Sequence, residues 1–528
     1  MIITGEEDKM LSSLNYGSII IILLHSIFVH GFLKPLSDLS SFMAEKKLKS
    51  LEPECPLSTL PTPPGKKDGP LRNLKETISY LGDPESFIQS RVEEFGPIFS
   101  TYLFFKKTVI VGGQDGVAEF IKKERNEGVH ESALPEIFKE LHTEYGALNM
   151  NGAKHDEVRE FFKQIFGQKA IDAFIPEIEA TVDSFISSLK ERPPEDEIFI
   201  VPELRSLNLN LFATIFSGSA LSKEEQQLFD EYNSGLLALG RFDKSYKKGK
   251  TALEKLVEVM KVRYQNYKRE KFNNSCLEKL EQTGWSDERA ATVLVLFIWG
   301  AYIESASLMC HSNIFVNFWS DVQANVLKEA AAAGVLSSDA ATSLPKKWTE
   351  MSYTRGVMRE TLRLNPPAGG GFRSSGNDFE LAGFRIPAGT VVTCDPRIGN
   401  ADPDLFISPA EFAPERWTST IPGEGNASQC PLKATAQKLG VGSWFPGGIG
   451  SHQCPGISLA EITSSIFLVK YLESFESWEE SGSGLDEMTG KPKEVLIPIK
   501  IPVDEYAVFL TKKITTAVEL SEVRTSTV

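Results

Sequence analysis

One stretch decides the fold of this chain: Trp444-Phe445-Pro446-Gly447-Gly448-Ile449-Gly450-Ser451-His452-Gln453-Cys454-Pro455-Gly456. Apolar residues follow it at helical spacing, which predicts a helix that begins directly after the loop. Cys454 then lies at the N-terminal end of that helix, where the helix dipole and free N–H groups favour a thiolate. The glycines allow the backbone to approach something flat and bulky. A haem held by an axial Cys thiolate would fit this loop.

Three interpretations of Cys454 are open at this point. A free cysteine is often simply a buried apolar residue. A zinc site needs about four ligands at close spacing, and His452 with Cys454 supplies two, with no second pair nearby. The loop alone does not decide between a buried cysteine and a haem ligand, so other segments must.

The composition is that of a large globular protein. Its 528 residues are 41% hydrophobic and 24% charged, a length that permits several domains or one large enzyme. A net charge of -15 and a pI near 5.2 argue against a nucleic-acid partner, which requires a basic face. The six cysteines are scattered without a CxxC pair, which indicates a reducing compartment.

The N-terminal part of the chain predicts a membrane anchor. Residues 14–33 are mostly apolar and just long enough to span a bilayer. Acidic residues precede them and lysines follow, so the positive-inside bias places the body in the cytosol. We predict an anchor with its flank at 1–52, a stiff proline-rich hinge at 53–70 and one catalytic domain at 71–528. A cleaved signal peptide would need a basic start. A plastid-targeting leader is a further alternative.

A long apolar helix is predicted from the N-cap Ser286 to about Phe318. It is apolar nearly all round and should be buried through the middle of the body. Within it, Glu304 and Ser305 place an acid beside a hydroxyl, which is costly to bury without a partner or a purpose. A polar pair satisfied by its neighbours is the alternative to a functional pair.

Two other predicted helices carry charged pairs. His155 and Arg159 are four residues apart and share one helix face, which in an isolated pair is usually a solvated face. Glu360 and Arg363 are three apart and face the same way, in a helix that ends before Pro366. An exposed pair of this kind would contribute little to stability.

The cysteine loop resembles that of the cytochrome P-450 superfamily, the haem-thiolate monooxygenases. The matching residues are Gly450, Cys454, Gly456 and Ala460. Two positions differ, because Gly447 stands where the family usually has Phe and His452 where it usually has Arg. The resemblance makes Cys454 the metal ligand, with Gly450, His452 and Gly456 as cofactor-binding residues. The charge of His452 would depend on pH, whereas that of Arg would not.

Other segments resemble parts of the family that hold the haem. His155 and Arg159 match its H-x-x-x-R helix, whose side chains reach the haem propionates. Residues 366–373 (PPAGGGFR) match a stretch of the branch with retinoic-acid hydroxylases and sterol and isoprenoid oxidases. In that branch the arginine, here Arg373, binds a propionate.

The remaining matches are a structural ion network and a pair of residues that deliver protons. Glu360 and Arg363 match the family's E-x-x-R helix, and Arg416 of PERW (414–417) completes its structural ion network. Residues 301–305 (AYIES) match the oxygen-side helix, in which an acid and a hydroxyl deliver protons, so Glu304 and Ser305 are the catalytic candidates. Ser305 replaces the usual Thr conservatively, while Tyr302 replaces a Gly.

The resemblance covers nearly the whole chain after about Pro70, with six segments in the family's order. It implies a mainly α, cytochrome P-450 fold with a smaller β region, behind an N-terminal transmembrane anchor. It also implies haem b and insertion of one oxygen atom from O2 into a hydrophobic, isoprenoid-type substrate: a sterol, a retinoid or carotenoid, or a prenylated secondary metabolite. Because the chain has no flavin or nicotinamide signature, electrons would come from a separate NADPH-dependent flavoprotein reductase. The expected location is the endoplasmic reticulum membrane, with a plastid as the alternative.

Two other classes of function stay open. A haem-thiolate isomerase or lyase acting on an already oxygenated substrate would need neither Glu304 nor Ser305 and no reductase. A haem-binding protein without catalysis would use Tyr302 to block the distal side, and it would bind carbon monoxide poorly. The acid and hydroxyl pair favours the monooxygenase.

Overall fold

The architecture is that of a computed structural model of the chain. It describes residues 56–127, 131–238, 240–336, 345–418, 420–421, 425–426, 439–495 and 499–513. Helices and strands are numbered here in chain order within these ranges. The predicted membrane anchor at 1–52 lies outside the described residues.

The described elements are mostly helical. The helices are α1 (Pro70–Gly82), α2 (Pro84–Phe95), α3 (Gln114–Glu127), α4 (Glu136–Leu141), α5 (Gly152–Ile165), α6 (Gln168–Glu191), α7 (Ile200–Ser217), α8 (Lys223–Leu236), α9 (Lys244–Glu270), α10 (Ser275–Gln282), α11 (Asp287–Asn317), α12 (Ser320–Ala333), α13 (Pro345–Glu350), α14 (Ser352–Leu364), α15 (Pro396–Asn400) and α16 (Ile457–Ser474). The strands are β1 (Ile98–Leu103), β2 (Lys106–Val111), β3 (Glu131–Ser132), β4 (Ile198–Phe199), β5 (Phe372–Ser374), β6 (Phe379–Leu381), β7 (Phe384–Ile386), β8 (Val391–Cys394), β9 (Thr420–Ile421), β10 (Gly425–Asn426), β11 (Phe475–Glu480), β12 (Glu494–Val495), β13 (Ile501–Pro502) and β14 (Ala507–Lys512). The predicted class, mainly α with a smaller β region, is confirmed.

Helix α11 runs through the middle of the body. It begins as predicted at the N-cap Ser286, whose hydroxyl oxygen accepts a hydrogen bond from the N–H of Arg289 at 3.2 Å. It packs against α7, α9 and α16. In the described part of the chain it is the one helix long and apolar enough to cross a membrane, but 78% of its most apolar window is buried inside the body. It is therefore the core helix that its all-round apolar sequence predicts.

Helix α16 is the second buried helix and carries the cysteine loop at its N-terminus. Most of its side chains between Leu459 and Leu472 are buried, and it packs against α6 and α11. Because burial of so much apolar surface fixes the helix firmly, its first residue, Ile457, holds the end of the loop in place.

The largest sheet supports the other end of the loop. Its strand order is β1-β2-β8-β5-β3, with β2 and β8 parallel and the other pairs antiparallel. Phe445, near the start of the loop, is buried in the same apolar cluster as Val109 of β2 and Val392 of β8. The cysteine loop is thus held between a buried helix and a sheet.

The second half of the proline-rich segment that was predicted as a hinge packs against the edge of this sheet. The N–H of Ser100 donates to the carbonyl of Pro64 at 2.7 Å, and the carbonyl of Ser100 accepts from the N–H of Lys66 at 3.0 Å. Residues 64–66 therefore add to the edge of β1. This part of the predicted hinge belongs to the folded body.

Candidate functional site

The cysteine loop folds back on itself around Cys454. The N–H of Cys454 donates to the carbonyl of Gly447 at 2.7 Å. A Cβ at Gly447 would lie 3.0 Å from the Cβ of Cys454, which is closer than side chains normally approach. The loop can close over the cysteine because residue 447 has no side chain.

The thiol of Cys454 is accessible, unlike the other described free cysteines. Cys276, Cys310 and Cys394 are buried, whereas Cys454 is exposed. The surrounding protein atoms still make the thiolate less favourable and raise the pKa of the Cys454 thiol, against the lowering effect of the N–H groups of Gly456 and Ile457. A coordinated metal cation deprotonates such a thiol outright. The interpretation of Cys454 as a simple core residue does not fit its exposure.

Helix α5 turns its charged face towards the loop. The guanidinium of Arg159 donates to the carbonyl of Gln453 at 2.7 Å. The rings of His155 and His452 lie with their centroids 4.2 Å apart, and Nε2 of His452 is 3.3 Å from Oδ1 of Asn151. Burial, followed by the charge of Arg159, lowers the pKa of His155. The structure thus brings His155, Arg159 and His452 together beside the cysteine.

Arg373, on strand β5, is linked to the cysteine loop through an ion pair with Glu124. Its Nε donates to Oε1 of Glu124 at 3.0 Å, and the other carboxylate oxygen accepts from the backbone N–H of Ser451 at 3.0 Å. Sequence reasoning missed Glu124, because one more Glu in the charged run of α3 gives no local signal. Its importance follows only from contacts with residues far away in the sequence.

Glu304 of α11 faces the cysteine across the interior. Helix α11 packs against helix α16, which follows the cysteine loop, and the charge of Glu304 contributes to the raised pKa of the Cys454 thiol. Burial raises the pKa of Glu304 to about 7. Ser305, next to it, is buried. An acid that is part protonated near neutral pH can donate and recover a proton.

Tyr302 belongs to the packing between helices α8 and α11. It is fully buried, and its ring packs edge-on against Phe229 of α8 with centroids 6.3 Å apart. Burial, and next the charge of Asp230, raises its pKa well above the usual value. The ring of Tyr302 is therefore part of the packing between α8 and α11.

The predicted ion network is assembled behind the loop. Glu360 accepts from Arg363 at 2.6 and 2.9 Å and from Arg416 at 3.0 Å. It also accepts from the indole N–H of Trp417 at 2.8 Å and the backbone N–H of Ala413 at 3.1 Å. All three charged side chains are at most 1% exposed. Further guanidinium N–H groups donate to the carbonyls of Asn400, Ile407, Ser408, Pro409 and Glu411.

The donor set fits a haem better than a zinc ion. In the residues that the structure describes, no three His, Cys, Asp or Glu side chains come together as a metal site, so a zinc ion at Cys454 would lack ligands. A haem iron requires one sulfur, and its carboxylate side groups require cations. An accessible Cys454 with Arg159 and Arg373 nearby meets both needs. The fold and the site together define a haem-thiolate protein.

Comparison with known proteins gives the family. A sequence model described as Cytochrome P-450 matches residues 63–502, and the chain therefore belongs to the cytochrome P-450 family. It is 28% identical to a Synechocystis sp. protein named cytochrome P-450 120, over 80% of this chain and 91% of the relative. It is 27% identical to the 3beta,22alpha-dihydroxysteroid 3-dehydrogenase of Arabidopsis thaliana, over 79% of this chain and 87% of the relative. The solved structure of retinoic acid bound cyanobacterial CYP120A1 has a TM-score of 0.70 and 24% identity, covering 86% of this chain and 100% of that chain.

Membership of the family fixes the broad chemistry. The protein is an oxidoreductase with a haem-thiolate iron cofactor. This confirms the predicted family, cofactor and enzyme class.

Proposed function

We propose that this protein is a monooxygenase that inserts one oxygen atom from O2 into a hydrophobic, isoprenoid-type substrate. The observation that carries the proposal is an acid, Glu304, on helix α11, which packs against the helix of the cysteine loop, near enough for its charge to raise the pKa of the Cys454 thiol. An isomerase or lyase would not need an acid there. With a pKa of about 7, Glu304 is about half protonated at neutral pH and is suited to repeated proton delivery.

Each group of side chains has a role under this proposal. A haem held by a cysteine thiolate supplies the electron density that favours O–O cleavage. Cys454 would hold the iron, steadied by the N–H groups of Gly456 and Ile457. Arg159, His155, His452 and Arg373 would hold the propionates. The carboxyl oxygens of Glu304 would hold a proton and pass it towards the hydroxyl of Ser305. Glu360, Arg363 and Arg416 would keep the loop's support rigid.

The substrate class rests on two supports. One relative is named for a steroid, and the solved neighbour of the same fold holds retinoic acid, both of them molecules built on isoprenoid skeletons. The glycine run at 366–373 resembles the corresponding stretch of isoprenoid oxidases. A sterol, a retinoid or carotenoid fragment, or a prenylated metabolite is therefore the proposed substrate.

The proposed electron donor is a separate NADPH-dependent flavoprotein reductase. The sequence contains no flavin or nicotinamide signature that would make the chain self-sufficient. The apolar stretch at 14–33 is proposed to hold the protein on the endoplasmic reticulum membrane, with the catalytic domain in the cytosol.

Titration of the haem-loaded protein with candidate substrates tests the substrate class. We expect a sterol, retinoic acid, a carotenoid fragment or a prenylated acid to shift the haem to high spin, because a substrate in the cavity displaces water from the iron. The shift is read from the visible absorption spectrum, with fatty acids as controls. If fatty acids alone produce it, the isoprenoid assignment is wrong.

The pH dependence of coupling tests Glu304. Because its pKa is raised to about 7, the protonated fraction falls as pH rises through that value, and the product formed per O2 consumed should fall with it. In Glu304→Gln this pH dependence should disappear and turnover should fall by about 10²-fold. Ser305→Ala should uncouple oxygen use from product at every pH. Unchanged coupling in both variants would remove the proton-delivery role.

A further inference from the structure

Glu124 is a buried acid that the proposed chemistry does not use. It lies near the end of helix α3 and is 4% exposed. One carboxylate oxygen accepts from Nε of Arg373 and the other from the N–H of Ser451, each at 3.0 Å. A single side chain therefore ties helix α3, strand β5 and the cysteine loop together. Burying a charge is costly unless it is paired, and here it is paired on both oxygens.

The loop is shaped to receive this carboxylate. Gly450 has φ +68°, which favours glycine, and a Cβ there would lie 1.5 Å from Oε2 of Glu124. Glycine at 450 is thus required both by its backbone conformation and by the acid that lies against it. Ser451 lies three residues before Cys454 in the loop, so its hydrogen bond to Glu124 helps to fix the position of the sulfur.

Glu124 belongs to the same group of charges as the predicted propionate ligands. The charge of Glu124 raises the pKa of His155, while that of Arg373 lowers it. Arg373, the predicted propionate ligand, has a buried anionic partner in Glu124. The charge beside the haem site is therefore lower by one unit than the basic residues alone imply.

We propose that Glu124 is a positioning residue that fixes the cysteine loop and Arg373 and holds the reduction potential of the bound haem low. The inference rests on the proposed haem site. A fixed negative charge near the iron stabilises the ferric over the ferrous state, because the ferric iron carries more positive charge. The hydrogen bond to Ser451 adds a mechanical role, since it anchors the segment that precedes the ligand.

The test is a redox titration of the full-length, haem-loaded protein. Glu124→Gln keeps the shape and an acceptor oxygen but removes the charge, so the potential should move to a more positive value. Glu119→Gln, half-buried on the same helix, removes an equal charge and should leave the potential unchanged. Haem loss from Glu124→Gln should be about tenfold faster or more, because a charge-assisted hydrogen bond is weakened.

Glu124→Asp separates the two roles. It keeps the charge but shortens the reach to Ser451, so we expect faster haem loss with an unshifted potential. An unchanged potential and unchanged haem retention in Glu124→Gln would overturn the inference. If that variant yields no haem-loaded protein, wild-type haem retention in Glu124→Asp would overturn it instead. None of these measurements needs substrate turnover, so failure of the proposed monooxygenase activity would be seen separately.

Discussion

Cys454→Ser should abolish the thiolate-type spectrum of the reduced, carbon monoxide-bound protein completely. The spectrum depends on an anionic sulfur bound to the iron, and a serine hydroxyl is neither soft nor readily ionised. Cys454 is the exposed cysteine among the four described ones, and the N–H groups of Gly456 and Ile457 favour its thiolate. No neighbouring cysteine in the described part of the chain could take over as ligand.

The matched control for this change is Cys276→Ala. Cys276 is fully buried in helix α10 and its thiol pKa is raised by burial to about 12, so it is an inert core residue. This variant should keep the thiolate spectrum while losing a little stability. If Cys454→Ser also kept the spectrum, Cys454 would not be the ligand and the assignment of the whole site would be wrong.

Glu360→Ala should produce the second largest effect, a loss of folded, haem-loaded protein. The substitution leaves the guanidinium groups of Arg363 and Arg416 buried without their carboxylate. Removing one partner of a buried ion pair costs about 3–5 kcal/mol. This is a large part of a typical unfolding free energy of about 5–15 kcal/mol. The urea midpoint and the yield of haem-loaded protein measure the loss.

An exposed ion pair provides the comparison. Glu350→Ala on helix α13 removes the partner of Lys346, whose side chain is 80% exposed, and such surface pairs contribute little. Its urea midpoint should match that of the unmodified protein. Equal midpoints for Glu350→Ala and Glu360→Ala would mean that the buried network does not support the fold.

The sequence predicted those parts of the site that are encoded within single helices or loops. The pairs His155 with Arg159 and Glu360 with Arg363 could be placed because helical spacing alone puts each pair on one face. Helix α11 could be placed because its sequence is apolar all round and follows a Ser N-cap. Cys454 could be singled out because its loop has the glycines and the following helix.

Other parts depend on contacts that no local pattern contains. Glu124 is joined to residues 249 and 327 positions away, and only the folded sheet and loop bring them together. Trp417 completes the ion network by donating its indole N–H to Glu360. Nothing in the short PERW segment predicts this role for the tryptophan. Tyr302 stands where the family usually has Gly, and its packing against Phe229 of helix α8 could not be predicted from its position in the motif.

The ion network around Glu360 and the contacts that hold the cysteine loop also differ in how early they can form during folding. The hydrogen bonds of the network around Glu360 join residues at most 57 positions apart. Those that hold the cysteine loop to Arg159 and Glu124 span 294 and 327 positions. Closing a short loop costs less chain entropy and happens earlier in folding. We therefore expect the ion network around Glu360 to form first. The cysteine loop, which receives the cofactor, would then pack against it last.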